Sequence, residues 1–330
     1  SISTVSSTIC SGETPLIITG DAGVVGGSLS YQWETSLDGS SWNPINTATG
    51  VLRDFTPDTP LTQTTIFRRK TISTVGTLTC ERYSDVQQIT VTDSPGAILK
   101  GYPGIPPAGE ILAPGTLNVC SGEMAYFFGS GTGAVEYEFF IGGVEAQARS
   151  AVSTYTSNSL SSGENISFIS YNAAGCSTQS STMTILVNSP PVIDFASSLP
   201  DNVTFCSNTA ITFTASSTGA TNYNFTIDGG SVQSGASSTF LAVAGTVSDS
   251  TVVGVIVTGP SGCTASTTLT LVENKITTVG TITTASSTIC PGQVPLPITG
   301  TAGAVAVGGT LGYQWQSRTD VSTWTNIGIN

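Results

Sequence analysis

A stretch at the start of this chain returns 280 residues later. Ser6-Ser-Thr-Ile-Cys10 recurs as Ser286-Ser-Thr-Ile-Cys290, and Ile18-Thr-Gly20 as Ile298-Thr-Gly300. After a two-residue insertion, Tyr31-Gln-Trp33 recurs as Tyr313-Gln-Trp315, and Trp42 as Trp324. A chain that repeats itself is built from units that fold alike and contact their neighbours in sequence. The period also contains shorter echoes. Cys10-Ser-Gly-Glu, Cys120-Ser-Gly-Glu, Cys206-Ser-Asn-Thr and Cys290-Pro-Gly-Gln are variants of one phrase, and these opening cysteines stand 110, 86 and 84 residues apart. One long unit and two shorter ones therefore make up the super-repeat.

Pro, Asp and Asn cluster at Asp93-Ser-Pro95, Asn188-Ser-Pro-Pro191 and Glu273-Asn-Lys275. These joints divide the chain into a type 1 repeat (1–93), a type 2 repeat (94–189), a type 3 repeat (190–274) and a truncated copy of type 1 (275–330). Short joints that contain proline limit the angle between neighbours, so an extended, semi-stiff rod is expected. The remaining cysteines, Cys80, Cys176 and Cys263, each precede the alternating strand that ends a unit, and the last two follow a glycine. Nearest pairing within a unit gives Cys10–Cys80, Cys120–Cys176 and Cys206–Cys263. Cys290 is expected to be unpaired by truncation, so the sequence reads as a window from a longer array. Three bridges would imply an oxidising compartment.

Each unit reads as strands joined by turns. Residues 86–92, 124–128, 135–141, 166–171, 183–187, 211–214, 223–227, 252–257 and 268–272 are apolar, aromatic or alternating stretches bounded by Gly, Ser and Asn. Ser, Thr and Gly abound, while charged residues make up only 9%, well below the usual quarter or so. The long straight side chains that favour helices are scarce. The expected fold is all-β, a series of tandem Ig-like β-sandwich domains, with Trp33 and Trp315 as core aromatics near the disulfides.

Composition removes several functions. With nine Lys and Arg against 21 Asp and Glu, and a net charge of −12, the chain has no basic patch for nucleic acid or acidic membranes. It has no His, hence neither the commonest general base nor the commonest zinc ligand. A serine nucleophile lacks a base, and the cysteines are explained by pairing and truncation. Glu136 and Glu138 share a strand face and read as solvated. No apolar run of membrane-spanning length and no signal peptide are apparent. Neither enzyme activity nor a cofactor or metal is therefore expected. Asp93, Asp194, Asp201 and Glu273 lie at or near joints, where calcium shared between domains is the one metal use to consider. Trp42 and Trp324 follow turns and are the aromatics that could face a ligand.

The Cys-Ser-Gly-Glu openings, Tyr31-Gln-Trp33 followed by Ser36-Leu-Asp-Gly-Ser-Ser-Trp42, the Gly-Cys turns and terminal strands in Ile-Thr-Val are similar to the Ig-like and PKD-like repeats of giant Bacteroidetes surface proteins. Among these, the sequence resembles SprB-like gliding-motility adhesins. The resemblance covers all four units. It implies type IX secretion, outer-membrane attachment through parts outside this segment, and the gliding machinery as a partner. It also implies O-glycosylation at Asp-Ser/Thr-apolar sites, for which Ser250 in Asp249-Ser-Thr251 is the candidate. The expected role is a non-catalytic stalk segment of an extracellular cell-surface adhesin in surface attachment and gliding motility. Its partners would be neighbouring repeats and an external surface or polysaccharide. Two alternatives are a carbohydrate-binding repeat array and the non-catalytic appendage of a secreted hydrolase.

Overall fold

The computed structural model describes residues 1–23, 27–305, 311–320 and 322–328. Every regular element among them is a β-strand, as small, β-branched and aromatic side chains on short segments dictate. Residues Ser1–Asn188 form one compact unit and Ser189–Asn330 another.

The first unit holds two β-sandwiches. In the first, Ile2–Thr4 pairs with Ile18–Gly20. The facing sheet runs Thr8–Cys10, Gln87–Thr92, Thr65–Val75, Ser28–Ser36 and Asn43–Pro44, with Leu78–Tyr83 also paired to Thr65–Val75. The chain thus leaves one sheet after Thr4 and joins the other at Thr8, where it lies parallel to the strand that ends the sandwich: Thr8 opposes Thr90 and Cys10 opposes Thr92. Between the sheets Ile2, Ile9, Ile18, Trp33, Phe55, Phe67 and Ile89 form the core. Trp33 is fully buried, as expected, and its Nε1 donates to the Leu52 carbonyl at 3.0 Å, satisfying the indole's one polar atom.

The second sandwich repeats the plan with fuller sheets. One has the order Ile111–Leu112, Ile98–Tyr102, Ala125–Ser130, Thr154–Ser157. The other has Gly115–Cys120 parallel to Met183–Asn188, followed by Asn165–Tyr171, Glu136–Ile141 and Val144–Ser150. Phe127, Phe139, Phe168, Leu117, Ile166 and Met183 are fully buried between them.

In the second unit, Asn222–Ile227, Val252–Thr258 and Thr264–Thr270 make the central ladder of a third sandwich around Phe213, Phe225 and Val255. Thr204–Cys206 again runs parallel to the closing strand, Val272–Asn274. After it, among the described residues, come three short antiparallel pairs, including Ile282–Thr284 with Ile298–Gly300. The expectation of a buried core position for Trp315 is corrected here, since it is 43% exposed. Trp33 packs on Phe55, which in turn packs on Phe67, whereas among the described residues no aromatic ring packs on Trp315.

Each opening phrase folds into the same turn. The amide of the fourth residue donates to the cysteine carbonyl: Glu13 to Cys10 at 3.0 Å, Glu123 to Cys120 at 3.0 Å, Thr209 to Cys206 at 3.1 Å and Gln293 to Cys290 at 3.1 Å. The third residue of the phrase has positive φ, from +60° at Asn208 to +87° at Gly12. Only glycine and asparagine occur there, because a Cβ elsewhere penalises that conformation.

Candidate functional site: a disulfide-stapled joint

The two cysteine classes sit at opposite ends of each sandwich. The opening cysteine ends a strand that lies beside the closing strand, so it marks the trailing end, where the chain leaves. The hairpin cysteine marks the leading end. Cys80 opposes Ser73, whereas the closing strand meets Thr65–Val75 near its beginning, with the Val91 amide on the Thr64 hydroxyl at 3.1 Å. From Thr64 to Ser73 the strand advances roughly 30 Å at about 3.4 Å per residue. A disulfide needs Cα atoms within about 7 Å.

This geometry overturns the pairing expected within each repeat. Cys10 is bonded to Cys176, with Cα atoms 5.5 Å apart and a sequence separation of 166. The bridge joins the trailing end of the first sandwich to the leading end of the second. Cys10–Cys80 does not form, and Cys120–Cys176 cannot, since Cys176 is taken. Cys206–Cys263 does not form either. Cys80, Cys206 and Cys290 are free and exposed, while Cys120 and Cys263 are each disulfide-bonded.

The surrounding residues build the joint. A hairpin loop closes between Asn172 and Cys176, the Asn172 amide donating to the Cys176 carbonyl at 2.9 Å. Gly175, at φ +88°, supplies the left-handed turn this loop requires. The Asn172 Oδ1 accepts from the amides of Ala174 and Cys176, at 3.0 and 2.9 Å, and its Nδ2 donates to the Asp93 carbonyl at 2.8 Å. The Ser170 hydroxyl donates to the carbonyls of Gly96 and Thr178, at 2.9 and 3.2 Å. Below them the Gly96 amide donates to the Thr132 carbonyl at 3.0 Å. The backbones approach so closely that a Cβ on Gly131 would lie 1.7 Å from the Gly96 oxygen. Cys176 is 1% exposed. Residues 92–96 line a shallow hollow against Thr132, Gly133 and residues 172–174.

The other candidates are committed elsewhere. Glu136 pairs with Arg149 at 2.6 Å. Glu138 accepts from the Tyr171 hydroxyl at 2.7 Å, a bond that holds the phenol above its ordinary pKa. Trp42 carries the Arg68 guanidinium on its ring at 4.0 Å, and Tyr83 flanks the same group at 4.0 Å. One face of Trp42 is therefore covered. Trp324 is 57% exposed, with Arg318 at 4.6 Å. Ser250 lies on an exposed turn with φ +64°. Asp201 is held below the usual carboxylate range by Thr204, through its hydroxyl and amide, and by the Val203 amide. Glu273 accepts from the Ser207 hydroxyl, Asp93 offers its carbonyl to Asn172, and Asp194 begins the strand Asp194–Ser197. Among the described residues no group of three or more His, Cys, Asp or Glu is placed to hold a metal.

Fold and site together define a tandem array of Ig-like β-sandwiches with disulfides, the first of which links one sandwich to the next. Residues 1–93 match a family model described as "Domain of unknown function (DUF8696)". No curated protein matches the chain. Solved structures similar to it include an I-band fragment of titin, at 14% identity over 81% of this chain and 95% of that one, with a TM-score of 0.38. The fibronectin(III)-like modules of Clostridium thermocellum CbhA share 18% identity over 49% of this chain and 92% of theirs, with a TM-score of 0.31. A Bacteroides ovatus protein of a mixed-linkage glucan utilization locus, SGBP-B, solved with a mixed-linkage heptasaccharide, shares 15% identity over 88% of this chain and 71% of its own, with a TM-score of 0.19. Likeness at this level transfers neither ligand nor activity. No helix among the described residues is long and apolar enough to cross a membrane.

Proposed function

We propose that this chain is a non-catalytic stalk segment of a long extracellular cell-surface adhesin, serving surface attachment and, following its sequence resemblance, gliding motility. The observation that carries the reading is the Cys10–Cys176 bridge between consecutive sandwiches. A bridge inside one domain protects that domain alone. A bridge across a joint gives it a second covalent link beside the peptide chain, so a pull along the array passes from one sandwich to the next without stretching the linker. The oxidised cysteines suit the cell exterior. The low charge and the hydroxyl-rich composition suit a solvated stalk. Type IX secretion, outer-membrane attachment and the gliding machinery belong to this proposal through the resemblance alone.

Single-molecule pulling on the full chain tests the mechanical role. With the bridges intact, chain between bonded cysteines, including much of the 166-residue span between Cys10 and Cys176, stays locked, and full reduction adds several tens of nanometres of contour length at roughly 3.5 Å per residue. Equal contour lengths in the oxidised and reduced chains would refute the mechanical role. A glycan array separates the stalk from the carbohydrate-binding alternative: a stalk gives no specific signal, whereas selective binding that is lost on replacing Trp42 or Trp324 would replace this reading.

A further inference from the structure

Cys80, Cys176 and Cys263 hold one register position. In the second sandwich Phe168 exchanges backbone contacts with Ser180, the Ser180 amide donating to its carbonyl at 2.9 Å and the Ser180 hydroxyl accepting from its amide at 3.0 Å. In the first sandwich Arg69 does the same with Ser84, each bond at 2.9 Å. Cys176 and Cys80 both precede that serine by four residues. Cys176 opposes Asn172 and Cys80 opposes Ser73, each four residues after the strand position named. In the third sandwich Val255 opposes Thr267, four residues after Cys263, and Gly259 meets Cys263. The opening cysteines are equally in step, ending parallel pairs at Thr92, Asn188 and Asn274.

The surroundings correspond as well. The hollow at the stapled joint is lined by Asn172, Thr132 and the joint backbone. Its counterpart on the first sandwich is an open hollow lined by Ser1, Asp21, Thr71, Ser73, Cys80 and Arg82. In the first case the trailing end of the preceding sandwich stands at the hollow, with its cysteine bonded. In the second case the cysteine is a free, exposed thiol. Cys206, at the trailing end of the third sandwich, is also free and exposed. The next sequence unit after that sandwich is a second copy of type 1, whose opening phrase recurs from Ser286.

We propose that the hollow around Cys80 is a docking site for the trailing end of a type 3 sandwich, and that Cys206 and a Cys80-type hairpin cysteine are the two halves of the staple between them. The inference goes beyond the adhesin reading and holds whatever surface the array serves. In the bond-forming step the two thiols give up two protons and two electrons to a small-molecule or protein disulfide. One sulfur–sulfur bond forms between the sandwiches, while the oxidant's bond breaks to leave two thiols.

The test completes the fourth sandwich. Residue 330 corresponds to residue 48, so residues 49–188 of this chain are appended after Asn330, and the extended protein is oxidised with glutathione disulfide, alkylated and mapped without reduction. The expected result is a Cys206 peptide bonded to the appended copy of Cys80, with loss of labelling at both, and Cys290 bonded to the appended copy of Cys176. In a Cys206→Ser variant, the appended Cys80 copy should become labelled. Labelling of Cys206 in a protein whose Cys290 bond has formed would overturn the proposal, because that bond reports a folded copy of the joint already seen. Should the Cys290 bond be missing, residues 1–280 followed directly by the compact unit 1–188 provide the decisive chain, with its native Cys10–Cys176 bond as the folding control. Labelled Cys206 beside that intact bond would again overturn the proposal.

Discussion

Trp33 and Arg69 stand opposite each other on the two central strands of the first sandwich, at the position where Phe139 meets Phe168 and Phe225 meets Val255 in the other two. One of three equivalent core pairs therefore contains a cation. Arg69 is 3% exposed, and its guanidinium donates to the carbonyls of Arg53 at 2.7 Å and Asp21 at 2.6 Å, beside the ring of Tyr31 at 4.6 Å. It ties two loops to the core through hydrogen bonds.

Replacing Arg69 with Ala removes both bonds and opens a cavity. The expected loss is about 2–4 kcal/mol, confined to the first sandwich. Hydrogen exchange along Ser28–Ser36 and Thr65–Val75 measures it separately from the rest of the chain. Unchanged protection there would show that the two carbonyls find other partners.

The staple closes a 166-residue loop, for which the chain-entropy treatment gives about 5 kcal/mol. Cys10→Ser and Cys176→Ser should each lower stability by a similar amount, and the double variant should be no worse than either single, because one bond is lost in all three. Denaturant unfolding followed by exchange in Ser1–Asn188 checks this. Additive losses would mean that each thiol stabilises its own sandwich independently.

Gly131 has no room for a side chain, since its Cβ would lie 1.7 Å from the Gly96 oxygen. Gly131→Ala should cost about 1–3 kcal/mol through displaced backbone and loosen the joint. The measurement is the rate at which dithiothreitol reduces Cys10–Cys176, which should rise relative to the parent. An unaltered rate would place the strain away from the joint.

The sandwiches themselves were readable from alternation and turn residues. The ladders at Glu136–Ile141, Asn222–Ile227 and Met183–Asn188 fall where apolar and aromatic alternation placed them. The partners of the cysteines were not readable in the same way. Nearness along the chain pointed to Cys10–Cys80, yet pairing the opening strand parallel to Gln87–Thr92 carries Cys10 to the far end from Cys80. A parallel closing pair leaves no local signature, as a hairpin does with Gly-Cys, so the staple emerges only once register is known. Arg69 in the core was equally hidden, because an Arg between Arg68 and Lys70 reads as part of a charged surface run until its opposite number is found to be Trp33.

Asp38 gives the clearest acid response. Its carboxylate accepts from the amides of Ser41 and Ser40, both at 2.8 Å, and from the Ser36 hydroxyl at 2.9 Å, so it stays well below the usual carboxylate range. A depressed folded-state value means that the turn is stabilised above the unfolded value, near pH 4, and that this stabilisation is lost as pH falls through the folded value. NMR titration of the Ser40 and Ser41 amides should show a midpoint well below that of an ordinary carboxylate, absent in Asp38→Asn. A midpoint at an ordinary carboxylate value would mean the turn is open in solution.

Cys10 must wait for residue 176 before it has a partner. The first sandwich accordingly completes its core with no covalent help, and oxidation records a neighbour's arrival rather than guiding a fold. While thiols are kept reduced, no disulfide joins the first sandwich to the second. An oxidant met after synthesis adds that link, so the covalent tie between these two sandwiches is made at a place and time set by the environment.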